Sequence, residues 1–341
     1  MDALQGVEFY SGVIVPGLIN CHSHIELSVL KGKIPENTGL TGFVKAIGAV
    51  RGEAGTEQIM AAASYQDSSM YSEGIIAVAD ICNSDVVFPV KKSGINYYNL
   101  AEVYGFGDNP EQIYIRGKSI KKKSEEYGMP SSVTPHSTYS VSDGLLNKII
   151  SEHHKNAPLS VHFLEGQEEN ELYRNKGALA DRYREIEYNP DFLHYSSPVN
   201  RLIKSIPWDV PILLVHNTFV TGGEVDIIES HFSDVTWVVC PRSNKYIEGK
   251  LPDVELLLEK SCRIAIGTDS LASNYSLSMA DEISFILDNL EIPFDKVIDF
   301  ATVNGAKALK IDQWAGTFEV GKKPGAVLAE NFECRSFRKI I

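Results

Sequence analysis

Val13-Ile14-Val15-Pro16-Gly17-Leu18-Ile19-Asn20-Cys21-His22-Ser23-His24 is an apolar run that ends in two histidines one residue apart. The run reads as a buried strand over 13–19. Successive strand side chains point to opposite faces, so His22 and His24 share a face at its end. Near the other end of the chain, Ile264-Ala265-Ile266-Gly267-Thr268-Asp269 has the same form, with a carboxylate where the first run has imidazoles. Between them, His162 follows Leu159-Ser160-Val161 and His216 follows Ile212-Leu213-Leu214-Val215.

Eight such short runs are found, at 13–19, 75–81, 95–103, 132–134, 159–163, 211–215, 235–240 and 264–268. Amphipathic segments at 58–72, 110–127, 143–154, 224–231 and 254–260 separate most of them. Strand and helix alternating eight times predicts an α/β fold, a closed (β/α)8 barrel with its active site at the C-terminal strand ends. The histidines and Asp269 sit at those ends. A helical tail is expected over 279–290 and 294–309. The segment 31–41, rich in Gly and Pro, reads as a loop over the barrel mouth, and 181–197 as an irregular insertion able to cover a substrate.

The bulk numbers fit one large globular domain. The chain has 341 residues, 43% hydrophobic and 23% charged. A net charge of −13 argues against nucleic acid and anionic membranes as partners, since both call for basic patches. Five cysteines without a C-x-x-C pair argue against a disulfide framework and for a reducing, cytoplasmic setting. No signal peptide or membrane-length apolar stretch is evident. The expected partner is a small-molecule substrate. The oligomeric state is left open, a homodimer included.

His22 and His24, on one face, can grip one cation, and His162 adds a third imidazole at the same rim. Asp269 alone could cap a helix; beside three histidines it reads as a fourth ligand. Three nitrogens, a carboxylate oxygen and a water suit Zn²⁺, with Fe²⁺ as the alternative. Glu165, three residues past His162, reads as a proton carrier beside such a site. His216 is either a further ligand or a group that orients the attacking water. The second role is preferred, because four ligands are already present.

These motifs resemble the amidohydrolase superfamily, in its branch of hydrolytic deaminases and chlorohydrolases. The likeness rests on Pro16–His24, His162-Phe163-Leu164-Glu165, His216-Asn217, Cys240-Pro241-Arg242-Ser243-Asn244 and Gly267-Thr268-Asp269-Ser270, in the family's order. It implies a distorted (β/α)8 TIM barrel with one metal on His22, His24, His162 and Asp269. It also implies that Glu165 shuttles a proton to the substrate ring and that His216 polarises the attacking water. Two-metal members carry a lysine on the fourth strand, where this chain reads Ser132-Val133-Thr134-Pro135-His136. The H-x-E and P-C-x-x-C pattern of the unrelated cytidine deaminases is absent.

Within the branch, Pro135-His136-Ser137 and Ala101-Glu102-Val103-Tyr104-Gly105 resemble aminodeoxyfutalosine deaminases and their adenosine-type relatives. That likeness makes Glu102, His136, Arg242, Asn244 and Ser273 candidate substrate contacts. His136 either meets the ribose or distal end of the substrate or packs at a strand end. Arg242 either forks onto a carboxylate or pairs with a nearby acid. The expected reaction is hydrolytic release of ammonia from an adenine-type ring. Removal of chloride from a triazine and opening of a cyclic amide are the alternatives. A catalytically silent relative would have lost Glu165, His216 or Asp269, and all three are present. Family members begin with several strands of a small β-sandwich, of which only about twelve residues precede Val13. The expected division is therefore a barrel over 13–312 and an abbreviated sandwich remnant from 1–12 and 313–341.

Overall fold

A computed structural model describes residues 10–105, 109–330 and 336–341. Residues 1–9 and 331–335 of the expected sandwich remnant, with Cys334, lie outside the described residues. The strands are β1 (Val13–Val15), β2 (Leu18–Ser23), β3 (Ile75–Cys82), β4 (Asn96–Val103), β5 (Ser131–Pro135), β6 (Leu159–Phe163), β7 (Ile212–His216), β8 (Val235–Val239), β9 (Ile264–Ile266), β10 (Val327–Ala329) and β11 (Phe337–Lys339).

The first expected strand is in fact two. β1 joins a small antiparallel sheet in the order β1-β10-β11, and only β2 enters the barrel. The break falls at Pro16-Gly17. Proline has no N–H for a ladder. Gly17 donates to the Pro324 carbonyl at 3.0 Å, and a Cβ there would lie 2.4 Å from Ile76. The chain therefore changes sheets where only glycine fits.

β2-β3-β4-β5 and β6-β7-β8-β9 form two parallel four-stranded sheets. They close into a distorted barrel along two seams, each carrying one isolated bridge: Ser23 to Asp269 and Ser137 to His162. Side chains stitch the seams where the ladders lapse. Asn20 Nδ2 donates to Thr268 Oγ1 at 2.8 Å, and Thr134 Oγ1 donates to the Ser160 carbonyl at 2.5 Å. β2 and β4–β9 are buried through the half that reaches the mouth, as expected for a sheet covered on both faces. Small and branched residues fill the interior, among them Ile19, Cys21, Ala77, Ala79, Leu213, Val238 and Ala265.

The helices fall close to their expected positions, at Thr56–Glu73, Pro110–Glu126, Asp143–Glu152, Gly222–His231 and Val254–Glu259. Three segments differ. The loop read over 31–41 leads into a helix, Gly39–Val50, that walls the barrel mouth. The insertion read as irregular begins inside the helix Gly177–Glu185. The tail read as one helix over 294–309 breaks at Thr302, between Phe294–Ala301 and Val303–Ala308, where its hydroxyl donates to the Ile298 carbonyl at 2.6 Å. No helix among the described residues is long and apolar enough to cross a membrane.

Candidate active site

β2 ends in His22 and Ser23, and β9 is followed directly by Gly267, Thr268 and Asp269. The peptide N–H groups of Thr268 and Asp269 both donate to the His22 carbonyl at 3.0 Å. A Cβ at Gly267 would lie 2.6 Å from the Cβ of His22, so this approach of the two strands requires glycine. His22 Nε2 and His24 Nε2 are 3.2 Å apart, and Asp269 Oδ1 lies 3.5 and 3.3 Å from them. The His162 ring centroid is 4.8 Å from that of His22. Its Nδ1 donates to the His136 carbonyl at 2.8 Å, which leaves Nε2 as the lone-pair end.

Two ligand groups share His22. One is His22, His24 and Asp269; the other is His22, His162 and His216, each with its ligand atoms within 4.8 Å of one another. Burial, reinforced by neighbouring imidazoles, holds His24 and His162 well below the usual histidine range. Neutral imidazole is the form that binds a metal. The Asp269 carboxyl is opposed by burial. The hydrogen bond from His22 and the neighbouring imidazoles of His24 and His216 outweigh it and hold the group well below the usual carboxylate range. Oδ2 of Asp269 accepts from Ser243 at 2.7 Å and Ser273 at 2.5 Å, which leaves Oδ1 to face the histidines.

Glu165 and His216 complete the floor. Glu165 Oε1 lies 3.6 Å from His216 Nε2, and the Glu165 N–H donates to Glu169 at 2.7 Å. Burial, then the charge of Asp269, pushes the Glu165 carboxyl well up. Burial brings His216 down to about 3. His216 Nδ1 faces the Asn244 amide nitrogen at 3.3 Å, while Nε2 is buried with no hydrogen-bond partner. Leu164, His216, Asn217 and Asp269 have φ values of 47°, 80°, 58° and 56°. Left-handed backbone at non-glycine residues costs on the order of 1–3 kcal/mol each and gathers at functional sites. Four of the ten such residues among the described ones lie on the strand ends that carry Glu165, His216 and Asp269.

Above this floor opens a cavity of about 340 Å³. His24, His162, Glu165 and Asp269 line its base, and Glu102 and His136 one flank. Burial raises Glu102 to about 7; its Oε2 accepts from Asn83 at 2.9 Å. The His136 ring stacks on His162 at 4.4 Å and burial lowers it to about 4. Leu27, Phe43, Val44 and Ile47 form an apolar wall opposite, joined by Leu179, Tyr183 and Ile186.

Three candidate substrate contacts do not line this cavity. Asn244 is spent on His216 and on Thr218, at 2.6 Å, and Ser273 is spent on Asp269. Arg242 points away and donates to Ser276 at 2.8 Å and Asp281 at 3.0 Å. Arg51 does line it, and sequence reading missed this residue. Its guanidinium donates to Glu26 at 2.9 Å, Asn83 at 2.7 Å and the Tyr104 hydroxyl at 3.3 Å. Asn83 and Tyr104 just follow strands β3 and β4, a position that could have flagged them; nothing in the sequence flags Arg51.

Several known proteins are similar to this chain. An adenosine deaminase of Helicobacter pylori is 28% identical over 94% of this chain and 79% of its own length. A 5-methylthioadenosine/S-adenosylhomocysteine deaminase of Halalkalibacterium halodurans is 24% identical over 97% and 75%. Among solved structures, the aminofutalosine deaminase of H. pylori in complex with methylthio-coformycin superposes with a TM-score of 0.83 at 25% identity, covering 95% of this chain and 81% of its own. An adenosine deaminase of Xanthomonas campestris, solved with bound zinc, shares the fold at a TM-score of 0.73 and 22% identity, over 94% and 72%. The model of the Amidohydrolase family matches residues 13–333. That match runs from the start of β1 past the end of β10 and takes in every strand that meets at the barrel mouth, so the chain belongs to the amidohydrolase family.

Proposed function

We propose that this protein is a metal-dependent hydrolytic deaminase that releases ammonia from an adenine-type ring, with aminodeoxyfutalosine or a related adenosine nucleoside as substrate. The observation that carries the reading is the facing pair of Glu165 and His216, 3.6 Å apart, beside the cluster of His22, His24, His162 and Asp269. The deaminase names of the relatives support the same class of reaction.

The donor set fits a divalent ion. His22 Nε2, His24 Nε2 and Asp269 Oδ1 converge within 3.5 Å of one another, and burial keeps the His24 and His162 imidazoles neutral, the form that binds a metal. His22, His24, His162 and Asp269 would hold one ion, Zn²⁺ in preference to Fe²⁺. When bound, it lowers the pKa of a water towards neutral. Asp269 takes up the proton that the attacking water loses. With Asn244 donating to Nδ1, His216 carries its proton on Nε2 and orients the attacking oxygen. The raised carboxyl of Glu165 suits a general acid. It passes a proton to the ring nitrogen next to the amino-bearing carbon, so that charge does not build up on the ring. The carbon gains oxygen from water and loses its amino group as ammonia. β1, β10 and β11 are read as the small-domain remnant, with the barrel proper starting at β2.

The test is ammonia release by the zinc-loaded protein from a panel of adenine nucleosides, alongside elemental analysis. Turnover that tracks bound zinc is expected. No ammonia from any nucleoside, or turnover that survives complete chelation, would overturn the reading.

A further inference from the structure

On the outer face of β3, behind the site, lies a buried charge pair that the proposed chemistry does not use. The side chains of Asp80 and Lys91 are both fully buried, with Lys91 Nζ 2.6 Å from Asp80 Oδ2. Lys91 follows the short helical turn Phe88–Val90. Its ammonium also donates to Asn99 Oδ1 at 2.5 Å and lies over the ring of Tyr97, 4.5 Å from the centroid. Taking two ions out of water is costly, and an apolar pair of the same volume is often as stable. Stability alone is therefore a poor explanation for this pair.

Its other contact suggests a reason. Asp80 Oδ1 accepts the backbone N–H of Ile25 at 2.9 Å, and Ile25 is the residue after His24. The β2–β3 ladder pairs Asn20 with Val78 and Ser23 with Asp80, and its register shifts between the two, where His22 lies. His24 stands beyond the last ladder pair, so the sheet itself does not fix its peptide. The carboxylate supplies the missing bond, as a charge-assisted acceptor that Lys91 holds in one orientation. The far end is anchored in turn: Asn99 Nδ2 donates to Ser124 at 2.8 Å, and Ser124 to the Met129 carbonyl at 2.9 Å.

We infer that Asp80 and Lys91 are positioning residues that set the direction of the His24 imidazole through the peptide of Ile25. The inference rests on the reading of His24 as a metal ligand. Asp80→Asn with Lys91→Met removes both charges but keeps an acceptor for Ile25; Asp80→Ala with Lys91→Met removes the acceptor as well. Zinc affinity is measured by chelator competition, with circular dichroism and Tm as folding controls. The alanine double variant should bind zinc on the order of 10–100-fold more weakly, the usual cost of losing a group that supports a ligand, and the asparagine double variant within about threefold of the parent. If the alanine version does not fold, Asp80→Ser with Lys91→Met replaces it, because the shorter serine cannot span the same gap. Equal affinity in both double variants, where His24→Ala lowers it, overturns this inference alone. Unchanged affinity in His24→Ala overturns the ligand reading and this inference with it.

Discussion

Replacing Glu165 by glutamine separates proton transfer from metal binding. The substitution keeps the shape and a carbonyl oxygen, and the residue it replaces is one that burial already favours in its neutral form. Folding should therefore be little affected. Glu165 is in neither of the two ligand groups that share His22, so zinc content should stay at the parental level. Turnover should not. Loss of a general acid costs on the order of 10²–10⁴ in rate, or about 3–5 kcal/mol at about 1.4 kcal/mol per factor of ten. The upper half of that range is expected here. The Glu169 carboxyl is turned to the Glu165 N–H, and His216 is held down at about 3, so neither replaces the lost proton. The assay is single-turnover ammonia release at matched zinc occupancy. Turnover within a few-fold of the parent would refute the reasoning, and loss of zinc in the variant would make Glu165 a ligand rather than an acid.

Two further outcomes follow from particular contacts. Arg242 is committed to Ser276 and Asp281 outside the cavity, so Arg242→Lys should change KM equally for nucleosides with and without a carboxylate; a change confined to the carboxylate-bearing ones would bring Arg242 to the substrate. Glu73 takes the hydroxyl of Ser278 and the N–H groups of Met279 and Ala280 at 3.0 and 3.1 Å, and burial raises it from 4.5 to about 7. A carboxyl raised on folding stabilises while neutral, an effect fully present below 4.5 and lost as pH rises through about 7. Tm measured against pH should fall across that window in the parent and stay flatter in Glu73→Gln; parallel curves would refute it.

The convergence of His22, His24, His162 and Asp269 was legible because each stands at or just past the end of a strand. His-x-His reads as two imidazoles on one face at a strand end, and the contact of the two backbones at Gly267 is what the structure adds. The neighbourhood of Pro241-Arg242-Ser243-Asn244 was legible too, but not the direction of each side chain. Pro241 opens a helix, so successive residues turn by about 100°. Ser243 and Asn244 face the site and Arg242 faces away, which a motif read as a line cannot show. The apolar wall was missed for a different reason. Helix Gly39–Val50 begins in a Gly- and Pro-rich stretch and contains three glycines of its own, and its helical form depends on packing over the mouth. Pro16-Gly17 was seen, but a change of sheet at that point depends on Pro324, some three hundred residues away in the chain.

The seams of the barrel give the candidate ligands a mechanical meaning. Of the two isolated bridges that join the half-barrels, one holds Asp269 and the other His162. A cation held by His22 and His24 from one half together with His162 and Asp269 from the other would act as a rivet across both joints. Ligation energy is then also closure energy, because an ion that binds only the closed form adds its binding free energy to keeping it shut. Stripped of the ion, the cylinder should open first along these two lines. Amide protons of β5, β6 and the residues around Asp269 would then exchange with solvent sooner than those deep within either four-stranded sheet.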